Sequence, residues 1–147
     1  MKNAQLNSHL EKLLLAMLWG TTLLVLPYTV SDPINLPKMV VLVGIAGALA
    51  GLLALNAKSL LSRLHKPILI TSALFIIYLV IVLAKSGIAF SENLYGTAGR
   101  NTGVATYASF TFVTLTCVLI ASETTIRKVF ASFLLIGIFL LIYGIFQ

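Results

Sequence analysis

Five stretches of this chain are apolar almost without interruption: roughly residues 13–28, 37–57, 67–84, 104–121 and 129–146. Each approaches the ~20 residues that a helix needs to cross the hydrocarbon of a bilayer. Asp, Glu, His and Arg are absent from all five, and only Lys38 lies at the edge of one. A backbone in lipid must satisfy its own hydrogen bonds, so runs of this kind can cross only as helices or as a closed barrel. The alternation of apolar and polar residues that a membrane barrel needs is missing. The expected fold is therefore all-α, a polytopic bundle of about five spanning helices. Composition agrees: 59% of the residues are hydrophobic and 10% charged, against about a quarter charged in a soluble domain.

The first run has a basic start at Lys2 and Lys12, as a secretory signal would. It continues past Trp19 to Tyr28 without a small-x-small cleavage site, so it reads as a retained helix. The basic residues set an orientation. Lys2, Lys12, Lys58, Arg63, Lys66, Arg127 and Lys128 fall on one side of the expected bundle, and Lys38, Lys85 and Arg100 on the other. The bias predicts a cytoplasmic N-terminus, an outward-facing C-terminus, and outward loops at 29–36 and 85–103. The net charge of +6 is spread singly or in short groups. With no basic stripe and no aromatic platform, nucleic acid is not an expected partner; anionic membrane lipids are.

Few residues could carry chemistry. Cys117 is the single cysteine; it forms no intrachain disulfide and is expected to be a small buried hydrophobe. His9 and His65 flank apolar runs and are expected to meet lipid headgroups. The acids Glu11, Asp32, Glu92 and Glu123 all lie in ends or loops. There is no paired carboxylate within a span, no nucleophile with its base, and no metal spacing, so neither a catalytic residue nor a metal or other cofactor is expected. In the second run, Gly47 and Gly51 form a GxxxG step beside Gly44 and Ala48, the pattern of a close helix crossing in lipid. In the fourth, Thr102, Thr106, Ser109 and Thr116 fall on one helical face, with Tyr107, Thr111 and Thr114 on another. Such hydroxyls bond the carbonyl one turn back, pack inside, or line a polar groove.

The stretch YGTAGRNTG, residues 95–103, stands apart. Arg100 comes just before the fourth run, with Asn101 or Thr102 as the expected N-cap. Lys38 follows Pro37 at the start of the second run, where proline suits a first turn. The free N–H groups of a helix start form a ready anion site. Gly96, Gly99 and Gly103 allow positive φ and close approach of a ligand to the backbone. The guanidinium of Arg100 fits phosphate oxygens two at a time. Arg100, Lys38, Asn101 and Gly99 are thus the candidate phosphate-binding residues. The competing reading has Arg100 reaching lipid headgroups or pairing with Glu92.

The segment ENLYGTAGRNTGVATYASF resembles the loop and helix of the O-antigen ligase and polymerase-like superfamily of membrane glycosyltransferases. Members there carry a G-x-x-G-R-x-x-G-like stretch leading into a helix with an aromatic such as Tyr107. DPINLPKMVVL, with Asp32, Pro37 and Lys38, resembles the start of their second helix, and IYGIFQ a helix end that precedes further helices. The resemblance implies a bacterial inner-membrane protein of lipopolysaccharide or polysaccharide biosynthesis. It implies metal-independent transfer of a glycan from an undecaprenyl-pyrophosphate carrier to an acceptor at the periplasmic face. Nothing here matches the family's large external loop with its histidine and arginine residues. The chain is therefore expected to be the N-terminal part of a longer protein, inactive alone, with the remaining C-terminal helices as its partner. The alternative is a transporter or small membrane scaffold that handles anionic lipid; no internal repeat or central helix break supports it.

Overall fold

A computed structural model describes residues 3–25, 34–58, 62–97, 100 and 102–146. Among these the chain is all-helical. Helix α1 spans Asn3–Leu23, α2 Asn35–Leu55, α3 Lys66–Lys85, α4 Phe90–Tyr95, α5 Val104–Ile120 and α6 Glu123–Phe146. Three of them, α2, α3 and α6, are long and apolar enough to cross a membrane. The 17-residue α5 is apolar but shorter, about 26 Å at 1.5 Å per residue. Polar residues from Gln5 to Lys12 occupy the first half of α1, leaving its apolar part at Leu13–Leu23; the rest of that run, 26–28, lies outside the described residues.

The packing has a centre and a periphery. α1 packs on α2, α2 on α5, and α5 on α3, while α6 rests against α1. The core lies toward one end, where Leu6, Leu10 and Leu14 of α1 meet Leu49 of α2 and Leu119 and Ile120 of α5. The four-residue spacing of the three leucines puts them on one face, one turn above another. Elsewhere the surface is apolar: Phe130, Leu134, Leu141 and Phe146 of α6 and Ile70, Leu74 and Val80 of α3 are all exposed. That distribution suits helices surrounded by hydrocarbon, where burial in protein is not what makes an apolar side chain stable.

Several boundaries depart from the hydropathy reading. α1 begins ten residues before the first run, because its polar first turns pack through Leu6 and Leu10 and cannot register as an apolar run. α6 begins at Glu123, not at 129, so Arg127 and Lys128 are helical and the link from α5 is only Ala121–Ser122. Ser122 closes that turn: its Oγ accepts the Thr125 N–H at 3.2 Å, as an N-cap does. The 85–103 segment is not wholly loop, since it contains α4.

Gly47 and Gly51 are exposed with open space around them. The close helix approach occurs instead at Gly20 of α1, where a Cβ would come 2.7 Å from Cγ1 of Val41. Cys117 is exposed, not buried. The hydroxyls of α5 bond back along their own helix: Ser109 to the Ala105 carbonyl at 2.7 Å, Thr111 to Tyr107 at 3.1 Å, Thr114 to Phe110 at 2.8 Å and Thr116 to Phe112 at 2.8 Å. Ser109, Thr111 and Thr116 are buried.

Candidate anion site at the Arg100 end

Arg100 is carried by a loop that closes on itself. Asn93 of α4 anchors the approach. Its side-chain amide donates to the carbonyls of Val82 at 3.1 Å and Leu83 at 3.3 Å, and to Ser86 Oγ at 2.6 Å. Both carbonyls lie in the last turn of α3, where helical partners run out, and that of Val82 also accepts the Ser86 N–H at 3.1 Å. Gly87 and Gly96 flank α4 with φ of 66° and 89°, a left-handed backbone that favours glycine. Gly103 has an ordinary φ of −84°; its glycine is required for another reason. A Cβ there would collide with the backbone of Leu94 and Gly96. The loop ends at 94–96 and 103 are therefore in backbone contact, and Arg100 lies between them, its N–H donating to the Thr97 carbonyl at 3.1 Å.

Two expectations about this loop are corrected. Gly103, not Asn101 or Thr102, is the N-cap of α5, and it makes no side-chain cap bond. Its carbonyl accepts the N–H groups of Thr106 at 3.0 Å and Tyr107 at 3.3 Å. The closest backbone approach that Gly103 permits is to the chain itself, not to a ligand. Gly99 and Asn101, with Asp32, lie outside the described residues.

Arg100 lines two cavities. One, of about 390 Å³, also takes Lys38 and Asn35 from α2, Thr21 from α1, Thr102 just before α5 and Thr106 in its first turn. The two candidate cations, 62 positions apart in the sequence, thus face one space. Toward the middle of the bundle the lining turns apolar, with Leu42 one turn beyond Lys38 and Phe110 one turn beyond Thr106. The second cavity, about 470 Å³, lies between α3, α4 and α5 and includes Glu92, Tyr78 and Tyr107. Among the described residues, Arg100 and Glu92 form no ion pair with each other, and neither side chain makes a hydrogen bond. Of the competing reading, the Arg100–Glu92 pair is not formed in this structure; contact of Arg100 with lipid headgroups is its other branch. No group of three or more metal-ligating side chains occurs among the described residues.

The opposite end carries a polar cluster that sequence reasoning missed. Arg63 donates to Oδ1 of Asn7 at 3.1 Å and to the carbonyl of Leu119 at 3.3 Å. Lys128 pairs with Glu11, which also accepts from Thr125 Oγ1 at 2.9 Å. The bond from Lys128, joined by that from Thr125, holds the Glu11 carboxyl below the usual glutamate range, against the opposing effect of its partial burial. The sequence signal was present: Asn7 and Glu11 share a face with Leu6, Leu10 and Leu14 at helical spacing.

Comparison with protein-family models, curated proteins and solved structures finds no match to the chain.

Proposed function

We propose that the chain is the N-terminal membrane region of an O-antigen ligase-like glycosyltransferase, in which Arg100 and Lys38 hold the pyrophosphate of a polyprenyl-linked glycan donor. The observation that carries the reading is the convergence of Lys38 and Arg100 on one cavity at the starts of α2 and α5. A pyrophosphate carries charge for both cations, and its lipid chain suits the apolar lining beyond them. In glycosyl transfer this pair would stabilise the negative charge that develops on the departing pyrophosphate. A base to activate the acceptor would come from the later part of a longer chain.

Five membrane crossings, a cytoplasmic N-terminus and the bacterial inner membrane complete the reading. The basic residues support the orientation, which places Arg100 at the periplasmic face with the donor's pyrophosphate. The test is donor binding and turnover by the full-length protein. Arg100→Ala is expected to lower donor affinity about tenfold or more, the worth of a charge-assisted contact. Lys38→Ala should lower it less, since an ammonium acts as a point charge. Unchanged affinity and turnover in Arg100→Ala would sink the assignment.

A further inference from the structure

The second cavity at Arg100 differs from the first in one respect: it holds an acid. Its mouth is set by Glu92 of α4, Thr97 and Arg100 of the loop, and Thr102 before α5. Deeper along the helices the lining becomes apolar and aromatic. On α3 it runs from Val82 through Leu79 and Tyr78 back to Phe75, and on α5 it reaches Tyr107. Phe75 and Tyr78 stack with ring centroids 6.5 Å apart. A space that is cationic and anionic at one end and hydrocarbon at the other matches a molecule with both charges on a headgroup and a chain below it.

We propose that this cavity binds the headgroup of an aminophospholipid, with phosphate on Arg100 and the primary ammonium on Glu92. Arg100 and Glu92 are exposed to the cavity and not spent on each other, so each is available to an opposite charge. The phosphate takes the guanidinium fork. The ammonium takes the carboxylate, and the acyl chain follows the apolar and aromatic lining beyond it. The Nδ2 of Asn93 is engaged on the carbonyls of α3, and so holds α4, and Glu92 with it, in place. Both readings use Arg100; the lipid adds Glu92 and the donor adds Lys38, so variants of Glu92 and Lys38 tell the failure of one from the failure of the other.

The test is native mass spectrometry of the full-length protein in a neutral detergent, titrated with phosphatidylethanolamine or with phosphatidylglycerol of the same acyl chains. The wild type is expected to retain the ethanolamine lipid in preference. Glu92→Gln should remove that preference, about a fivefold change for one exposed charge pair, and leave phosphatidylglycerol binding as it was. Arg100→Gln should weaken both lipids, and Lys38→Gln neither. Because Glu92 and Arg100 are exposed, the variants are expected to fold; retained helicity by circular dichroism is the control. Preference surviving in Glu92→Gln, or lost equally in Lys38→Gln, overturns the proposal. Displacement by free phosphoethanolamine at the concentration at which the lipid binds also overturns it, since the site would then belong to a soluble zwitterion.

Discussion

The two ends of the bundle use their charges in opposite ways. At the Glu11 end, Arg63, Lys128 and Glu11 are bound to partners contributed by α1, α5 and α6. At the Arg100 end, Arg100 and Glu92 have no side-chain partners among the described residues, and they border cavities. The same residue types thus serve as fasteners at one end and as open valences at the other. What holds the Arg100 end is not charge but backbone: the Asn93 bonds to α3, the left-handed glycines beside α4, and the contact of Gly103 with residues 94–96. An arginine with no internal side-chain partner that borders a cavity is the arrangement expected of a binding residue, because no existing bond has to be broken for a ligand to take it.

The sharpest way to break this contrast is Gly103→Ala. The new methyl would meet backbone atoms of Leu94 and Gly96, which cannot rotate aside as a side chain could. The loop must open. We expect a loss of about 1–3 kcal/mol in stability, the range for a steric insertion into a packed site. Ligand binding at Arg100 should fall with it. Thermal unfolding in detergent measures the first and donor or lipid titration the second. Wild-type values for both would mean that the loop ends are not in contact.

Arginine substitutions at the two ends sharpen it next. Arg63→Ala frees the Leu119 carbonyl and Asn7 and is expected to cost about 1–2 kcal/mol, since hydrogen bonds from a charged donor are involved. Arg100→Ala removes no internal bond of its side chain and should leave stability within about 0.5 kcal/mol, as exposed substitutions usually do. An unfolding experiment in which Arg100→Ala is the more destabilising variant would reverse the assignment of fastener and open valence.

How much of this was legible beforehand follows from what each signal measures. Hydropathy marks lipid-facing length, so it located α2, α3, α5 and most of α6. It was blind to the first turns of α1, which are polar on one side and leucine-lined on the other, and to the Ser122 N-cap, which starts α6 ahead of its apolar run. The GxxxG step at Gly47 marked a surface able to pack closely, but pattern cannot name a partner, and none of the described helices takes it. Gly20 and Ala16, one turn apart on α1, carry the same small-residue signal more weakly, and there the approach to Val41 is made. In YGTAGRNTG the glycines signalled an unusual backbone. Which atom each glycine makes room for is a tertiary fact: at Gly103 it is the backbone of residues 94–96. The convergence of Lys38 with Arg100 likewise depends on α2 packing against α5, which neither segment encodes by itself.

The smallest expected effect concerns pH, and it separates the ends by titration. The Glu11 carboxyl is held below its ordinary range chiefly by the hydrogen bond from Lys128, with that from Thr125 adding to it. A lowered folded-state value means that the fastener contributes its full stability above the unfolded value, about 4.3. That contribution is lost as pH falls through the lower, folded value. Mild acidification below about pH 4.3 should therefore loosen the contact of α1 with the start of α6. A fluorophore pair placed on α1 and α6 would report the separation. Glu11→Gln has no carboxylate to protonate, so its profile should lie flat across the same window, at a value near that of the acidified wild type. A wild-type separation that stays constant on acidification until the protein unfolds, or a Glu11→Gln variant that still responds, would show that this end is held by leucine packing alone, with the ion pair an onlooker. In that case the contrast between the ends would rest on Arg63 rather than on Glu11.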